Sequence, residues 1–259
     1  MNHKSKLPLS GRTALVTGSS RNLGAAIATE LASRGARVAV TYREHRAEAE
    51  QVLENLPRVE GGEHLLVHAD LTSMEGAGAL ATEVLQRAIN VDILINNAGP
   101  FNMEPFLKLD LVRFDEMWMA NVGAVVALVR TIAPAMQIAG KGRIINISAG
   151  SAYVRNHGVY TLAKSALITL TEQLALELGP EITVNAVAPG QIAESADEMS
   201  AIDPTFVENC LAATPLGELV TRPQVAALVA SMCGSEFDQV TGVTIPIDGG
   251  CRLGRLGSV

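Results

Sequence analysis

TALVTGSSRNLGAAIA, residues 13–28, has the order of a strand, a tight loop and the start of a helix. The apolar run 13–16 comes first, Gly18 and Gly24 bracket the loop, and small apolar residues follow. A glycine-rich turn between a strand and a helix presents free main-chain amides to phosphate, at the positive end of the helix dipole. The stretch therefore predicts the first βα unit of a nucleotide-binding sheet.

The loop departs from the usual pattern at Asn22, which stands where a third glycine is expected, with Arg21 just before it. Gly24 suits a place where a side chain would block the packing of helix on strand. Asparagine adopts left-handed backbone conformations more readily than most other non-glycine residues. We therefore expect the loop to bind a nucleotide despite the replacement.

Short β-branched runs alternate with helix-like segments along the whole chain. The predicted strands are 12–17, 37–41, 64–68, 92–96, 143–147, 182–187 and 243–247. This alternation is typical of βαβ units, and runs that are apolar on both faces indicate a parallel sheet covered by helices on each side. The sequence predicts an α/β fold, a single Rossmann-type domain over 1–259 with a doubly wound parallel sheet. We expect 1–10 to be a flexible arm and 191–215 to be a substrate lid.

Composition narrows the class of protein. A net charge of -7 argues against nucleic acid or an anionic membrane as the main partner. No uninterrupted apolar stretch approaches the ~20 residues of a membrane span, and the first ten residues lack a signal-peptide core, so a cytoplasmic protein is expected. Cys210, Cys233 and Cys251 are far apart without CxxC or histidine pairing, which favours neither disulfides nor a metal site.

The pair Tyr160 and Lys164 is the strongest catalytic signal. On a helix, residues i and i+4 share a face with Cβ atoms about 5–6 Å apart. The Lys164 ammonium is therefore expected to lower the pKa of Tyr160 from its usual ~10 by favouring the phenolate. A tyrosine in this setting exchanges a proton with a substrate oxygen.

Other motifs accompany this pair in a fixed order. They are TGSSRNLG at 17–24, Asp70-Leu71-Thr72, Asn96-Asn97-Ala98-Gly99, Asn121, Ser148, Tyr160 with Lys164, Asn185-Ala186 and Pro189-Gly190. In this set and order the chain resembles the short-chain dehydrogenase/reductase family over nearly its whole length. The resemblance implies a Rossmann-type fold and hydride transfer with a nicotinamide cofactor.

The resemblance also implies roles for individual residues. Tyr160 would protonate the substrate oxygen, Ser148 would orient the carbonyl, Lys164 would hold the nicotinamide ribose, and Asn121 would support a water relay. The implied cofactor-binding residues are Gly18, Ser20, Arg21, Asn22, Leu23, Tyr42, Arg43, Asp70, Leu71, Asn97, Ala98, Gly99, Tyr160, Lys164, Pro189, Gly190 and Ile192. No metal is expected.

The position of the carbonyl-orienting serine has alternatives. The loop before Tyr160 is one residue shorter than is usual in the family, and an alignment anchored on the strand puts Ala149 at the serine position. Ser148 closes the predicted strand 143–147 at its carboxyl end, whereas Ser151 follows Gly150, where the backbone is freer. We expect Ser148 to orient the carbonyl, with Ser151 as the other candidate.

The cofactor is expected to be NADP(H). Tyr42 ends the second strand where an NAD-specific chain would present an acid to the ribose, and Arg43 follows it. Arg21 and Arg43 would flank a 2′-phosphate with charge-assisted hydrogen bonds. Glu44 would either weaken this site or bind a ribose hydroxyl.

The predicted function is NADPH-dependent reduction of a ketone or aldehyde to an alcohol, similar to 3-oxoacyl-acyl-carrier-protein reductases. Pteridine or other small-ketone reductases are the alternative, and a catalytically silent nucleotide-binding regulatory protein is a third reading. Arg130 matches one arginine used for carrier docking, but 178–181 lacks a second, so small ketones are expected to be the better substrates. Apolar helices at 111–137 and around Tyr160 predict a homo-oligomer, and the family resemblance implies a homotetramer, with a homodimer as the alternative.

Overall fold

The sheet decides the architecture of the molecule. The computed structural model describes residues 6–88, 90–102, 104–155 and 158–253. Within them, seven parallel strands pair in the order β3-β2-β1-β4-β5-β6-β7. The strands are β1 Thr13–Val16, β2 Arg37–Tyr42, β3 Leu65–His68, β4 Ile93–Asn96, β5 Gly142–Ile147, β6 Ile182–Pro189 and β7 Thr244–Ile247. The predicted doubly wound parallel sheet is confirmed, and every predicted strand is present.

Helices cover both faces of the sheet. They are α1 Asn22–Ser33, α2 Arg46–Asn55, α3 Met74–Ala88, α4 Leu111–Trp118, α5 Ala124–Ile138, α6 Ser151–Val154, α7 Gly158–Leu178, α8 Ala196–Ile202, α9 Phe206–Ala213 and α10 Arg222–Met232. One core cluster joins the sheet to α3, α5 and α7, and the other joins it to α1, α2 and α10. Side chains alternate between the two faces of a strand, so successive residues pack in different clusters. Leu94 belongs to the first cluster and Ile95 to the second.

A π-helical turn, Met119–Gly123, joins α4 to α5, so that helix continues from Leu111 to Ile138. This helix is long and apolar enough to cross a membrane, but 61% of its most apolar 18-residue window is buried inside the protein. Leu128, Ile132 and Met136 are almost completely inaccessible to solvent. The burial is that of a core helix, as expected for a helix that is apolar on most of its faces.

Part of the predicted amino-terminal arm is packed against the rest of the protein. Residues 1–5 lie outside the described residues. Leu9 is fully buried, and its amide donates to the Arg34 carbonyl at 2.9 Å. The prediction of a flexible arm over 1–10 is therefore wrong for its last part, because Leu9 anchors the chain against the end of α1.

The chain leaves the sheet after β6 and returns to it through α10. The excursion consists of a 3-10 turn, Ala193–Ser195, followed by α8 and α9. A single parallel bridge between Ile192 and Val220 closes its base. The excursion occupies the segment that the sequence marked as a lid and lies at the carboxyl ends of the strands.

Candidate active site

Hydrogen bonds hold the glycine loop to the two strands that flank β1 in the sheet, β2 and β4. The amide of Gly18 donates to Thr41 Oγ1 at 2.9 Å, while Thr17 Oγ1 accepts from the amides of Asn97 and Ala98 at 2.9 and 3.0 Å. The side chain of Asn97 donates back to the Thr17 carbonyl at 2.9 Å. These bonds hold the loop between the ends of β1 and β4, where the strand order reverses and doubly wound proteins bind ligands.

Asn22 and Gly24 set the backbone of the loop. Asn22 has a φ of 53°, the left-handed conformation expected of this asparagine. A Cβ atom on Gly24 would lie 2.2 Å from the Gly18 carbonyl oxygen and 2.6 Å from Asn97 Nδ2, so only glycine fits there. Arg21 makes no side-chain cap at the start of α1. The first amides of α1 are thus available to an anion.

The predicted 2′-phosphate region lies at the ends of β1 and β2. Tyr42 ends β2, and its ring meets the His68 ring edge-on with 5.4 Å between centroids. Arg21 and Arg43 are exposed. Arg43 forms an ion pair with Glu44, with 2.6 Å between Nη2 and Oε1. The Arg43 guanidinium is therefore bound to the Glu44 carboxylate in this structure.

Asp70 lies beyond β3, where the adenine is expected, and its neighbour Leu71 is buried. Its Oδ1 accepts from the Thr72 hydroxyl and amide at 2.7 and 2.9 Å. These two bonds lower the pKa of Asp70, so the group is a carboxylate at neutral pH. The position suits an acceptor for the exocyclic amine of a base.

Tyr160 and Lys164 are neighbours on α7, but the lysine is directed at the backbone. Lys164 Nζ donates to the Ile147 carbonyl at 2.9 Å and lies 5.6 Å from the centre of the Tyr160 ring. Burial raises the pKa of Tyr160 to about 12 and lowers the pKa of Lys164 to about 8. The predicted lowering of the pKa of Tyr160 by Lys164 is therefore not found in this structure, because desolvation by burial is the cause of both pKa shifts.

Asn121 lies in the π-helical turn, is 1% exposed and approaches the same lysine. Its Nδ2 donates to the carbonyls of Met117 and Pro100 at 3.0 and 3.2 Å. Among the described residues, its Oδ1 has no hydrogen-bond partner. A Cβ atom on Gly99 would lie 2.2 Å from that oxygen and 3.3 Å from Lys164 Nζ. Gly99 therefore lets the asparagine and the lysine come close together.

The two candidate serines have different surroundings. Ser148 is 2% exposed and its hydroxyl donates to the Lys164 carbonyl at 2.8 Å. Ser151 begins α6 and lines a cavity with Tyr160, and its buried Oγ has no partner among the described residues. The expectation that Ser148 faces the substrate does not fit this geometry, because its hydroxyl points to α7. Ala149 also lines the cavity, but without a polar group.

The cavity has a volume of about 320 Å³ and opens beside Tyr160. Predicted cofactor residues Pro189, Gly190 and Ile192 line it. The other lining residues are Phe101, Ala149, Gly150, Ser151, Val154, Gln191, Ser195, Glu198, Met199, Phe206, Cys210, Asp248, Cys251 and Arg252. The lid segment therefore contributes a wall of the cavity.

Part of this lining was not found from the sequence. Phe101 follows the Asn96-Asn97-Ala98-Gly99 motif by two positions, and that proximity to a cofactor strand was a usable signal. Asp248, Cys251 and Arg252 follow β7, and nothing in their local pattern indicates a substrate cavity. They reach it because β7 pairs with β6 and brings the two strand ends together.

Comparisons with known proteins agree with the geometry. The family model described as Enoyl-(Acyl carrier protein) reductase matches residues 18–252. The chain is 32% identical over 245 residues to the 3-oxoacyl-[acyl-carrier-protein] reductase FabG of Staphylococcus aureus, covering 93% of this chain and 98% of that protein. It is 34% identical over 249 residues to the L-xylulose reductase of Mesocricetus auratus, with coverages of 94% and 98%.

Solved structures of similar proteins superpose on nearly the whole chain. A short-chain dehydrogenase/reductase from Serratia marcescens superposes with a TM-score of 0.85 at 34% identity, covering 95% of this chain and 99% of that chain. A 7α-hydroxysteroid dehydrogenase complexed with NADH and 7-oxo glycochenodeoxycholic acid gives a TM-score of 0.87 at 29% identity, with coverages of 96% and 98%.

Proposed function

Because the chain belongs to the short-chain dehydrogenase/reductase family of oxidoreductases, we propose that it uses NADPH to reduce a ketone or aldehyde to an alcohol. The observation that carries the proposal is the cavity in which Tyr160 and the unpartnered hydroxyl of Ser151 face the same space. Carbonyl reduction develops charge on oxygen, which needs a proton donor and a second polar group to hold it.

The residues at the strand ends fit a dinucleotide. The uncapped start of α1 and the Gly18 turn would hold the pyrophosphate, Asp70 and Leu71 would contact the adenine, and the backbone of 97–99 would run along the cofactor. Lys164 would hold the nicotinamide ribose, and 189–192 would flank the nicotinamide. When bound, the reduced nicotinamide supplies a hydride to the carbonyl carbon.

Tyr160 is the proposed proton donor. With a pKa raised to about 12 it remains protonated throughout the neutral range, as a general acid must. Lys164, with a pKa of about 8, is mostly charged at neutral pH and would stabilise the phenolate that is left. We propose Ser151 in place of Ser148 as the group that donates to the substrate oxygen, with Oδ1 of Asn121 accepting from a relay water.

The preference for NADPH rests on charge at the end of β2. Tyr42 presents no carboxylate to the ribose, and Arg43 after β2 and Arg21 at the start of α1 are exposed cations. A 2′-phosphate would compete with Glu44 for Arg43, replacing an exposed ion pair that contributes at most about 1 kcal/mol. NADP(H) is therefore the proposed cofactor.

The proposed assembly is a homotetramer or homodimer in the cytoplasm, where cells maintain reduced nicotinamide cofactors. Leu176 on α7 is 81% exposed, and Leu111 and Val112 on α4 are 78% and 64% exposed. Apolar side chains at this density favour a protein interface. Light scattering at micromolar concentration should give a multiple of the 27.2 kDa chain mass, and a monomeric mass would exclude this assembly.

The experiment that tests the function follows NADPH oxidation with a panel of aliphatic, aryl and cyclic ketones. We expect ketone-dependent oxidation with at least one member, and little activity with Tyr160→Phe. A protein that binds NADPH tightly, by calorimetry, but oxidises it with no ketone in the panel would instead fit the regulatory alternative.

A further inference from the structure

The lid carries charge of one sign. The segment 193–213 contains five acidic residues and neither lysine nor arginine. The acids are Glu194, Asp197, Glu198, Asp203 and Glu208. The carboxylate of Glu194 accepts from the Arg222 amide at 3.1 Å, which fixes the base of the lid. Of the five, Glu198 is the one that lines the cavity.

The remaining charges of the cavity lining compensate one another. Arg252 Nε lies 3.9 Å from Asp248 Oδ2, and its guanidinium lies 5.4 Å from the centre of the Tyr153 ring. Asp248 also accepts from the amides of Gly250 and Arg252 at 2.9 and 3.0 Å. Among the described residues, Glu198 has no ion-pair or hydrogen-bond partner. The lining therefore carries an uncompensated negative charge on its lid side.

Other residues of the cavity lining are suited to a carbonyl group on an apolar body. Ser151 Oγ is buried and unpartnered there, and Phe101 packs edge-on against Tyr160 with 4.9 Å between ring centres. Met199 and Phe206 line the cavity from the lid. A substrate in this cavity therefore has the polar pair Tyr160 and Ser151, apolar walls and the Glu198 carboxylate among its neighbours.

Resting on the reductase function proposed above, we propose that the substrate is an apolar ketone with a basic amine remote from the carbonyl. Its ammonium group pairs with Glu198, while its carbonyl oxygen meets Tyr160 and Ser151. A carboxylate or phosphate at the same place meets a like charge, which costs affinity, and because Glu198 is exposed this cost is screened by salt. The acidic lid also slows the approach of anionic substrates, including acidic carrier proteins.

A matched set of para-substituted acetophenones tests the charge order. The substituents are aminomethyl, hydroxymethyl and carboxylate, which are cationic, neutral and anionic on one scaffold. At low salt we expect kcat/KM to fall in that order, by roughly tenfold overall, the size of a 1.4 kcal/mol interaction. The spread should narrow at 0.5 M salt because exposed charges are screened. A carboxylate that equals or exceeds the amine would overturn the proposal.

Variants of the lid localise the effect. Glu198→Gln should bring the amine-to-carboxylate ratio of kcat/KM close to one, and Glu198→Lys should reverse it. Glu208→Gln is the control, since it removes the same charge from α9 without changing the cavity lining, and its ratio should stay within about twofold of wild type. Equal amine-to-carboxylate ratios of kcat/KM in wild type and Glu198→Gln would show that Glu198 does not discriminate between the charged substituents.

Failure of the function and failure of the charge preference are distinguishable. If no acetophenone is reduced but another ketone is, binding of the three compounds to the NADPH complex, measured by calorimetry, should still follow the charge order. Tight binding of the carboxylate in that experiment contradicts the inference and leaves the reductase function intact. If the anionic ketone is turned over faster than the cationic one, the inference is also contradicted while the reductase function stands.

Discussion

The hydroxyl of Ser148 donates a hydrogen bond to the main-chain carbonyl of Lys164 at 2.8 Å. This bond ties the residue that follows β5 to α7 and directs the serine away from the cavity. Ser151, three residues later, begins α6 and lines the cavity with Tyr160, and its buried hydroxyl has no hydrogen-bond partner in the part of the chain that the structure describes. Ser148 is thus a structural link between β5 and α7, and Ser151 is the serine of the two that lines the cavity.

Exchanging each serine for alanine separates these roles. Ser151→Ala should lower kcat by about 100-fold, the usual loss when one donor to a developing oxyanion is removed. Ser148→Ala should lower the free energy of unfolding by about 1 kcal/mol, as for a lost buried hydrogen bond, with a smaller effect on kcat. The kcat is measured at saturating NADPH, and the free energy of unfolding is measured by urea titration. A larger kcat loss in Ser148→Ala would reverse the assignment.

Arg43→Ala should weaken NADPH selectively. Loss of a charge-assisted bond to the 2′-phosphate is expected to raise the KM for NADPH about tenfold, with little change for NADH. Arg37→Ala is the control, because Arg37 lies at the other end of β2 and donates to the Glu63 carbonyl at 2.6 Å. Glu44→Gln should favour NADPH by releasing Arg43. Equal kcat/KM for NADH and NADPH in wild type would contradict the assignment.

The sheet could be predicted because the relevant signals are local. Runs such as 93–96 are apolar on both faces, and the Asn22 backbone conformation follows from a preference of that residue type. The site could not be read in the same way. The amide of Gly150 donates to the Pro189 carbonyl at 2.6 Å, so contact with β6 sets where α6 begins and where Ser151 points.

The pKa values also depend on contacts that spacing does not give. The i, i+4 relationship placed Lys164 beside Tyr160, but the Ile147 carbonyl at the end of β5 sets the direction of Nζ. Arg252 reaches the cavity only through the pairing of β7 with β6. Both features depend on residues that are distant along the chain.

Gly24→Ala should disrupt the nucleotide loop. The added methyl group would lie 2.2 Å from the Gly18 carbonyl oxygen, which requires the loop or α1 to move. We expect a lower Tm and a loss of NADPH binding by more than tenfold. Gly78→Ala is the matched control, since a Cβ atom at Gly78 in α3 meets nothing within 4 Å and alanine favours helix by about 1 kcal/mol. Unimpaired NADPH binding in Gly24→Ala would contradict the proposed cradle.

Burial of Lys164 predicts a rise of stability with pH in the protein without cofactor. Its pKa is lowered from 10.5 to about 8, so between these values the unfolded chain binds more protons than the folded chain. Stability therefore increases with pH across that window, at most by about 1.4 kcal/mol per unit. Above pH 10 the raised pKa of Tyr160 acts in the opposite direction, because the folded chain then holds the extra proton.

Urea unfolding of wild type and Lys164→Met at pH 7.5 and 9.5 measures this contribution. The stability advantage of the methionine variant over wild type should shrink as the pH rises. Lys141→Met, at an exposed lysine before β5, should show no such change. A constant difference between Lys164→Met and wild type would show that the ammonium is not penalised by burial.

Transfer of deuterium from the reduced C4 position of stereospecifically labelled NADPH to the product alcohol tests the central claim most directly. Mass spectrometry of the product should find one deuterium on the carbinol carbon with the wild-type protein. Tyr160→Phe should bind NADPH within about threefold of wild type but lower the rate of transfer by at least about 100-fold, as for loss of a general acid. Unlabelled product with both the 4R-labelled and the 4S-labelled NADPH, or full transfer by Tyr160→Phe, would contradict the account.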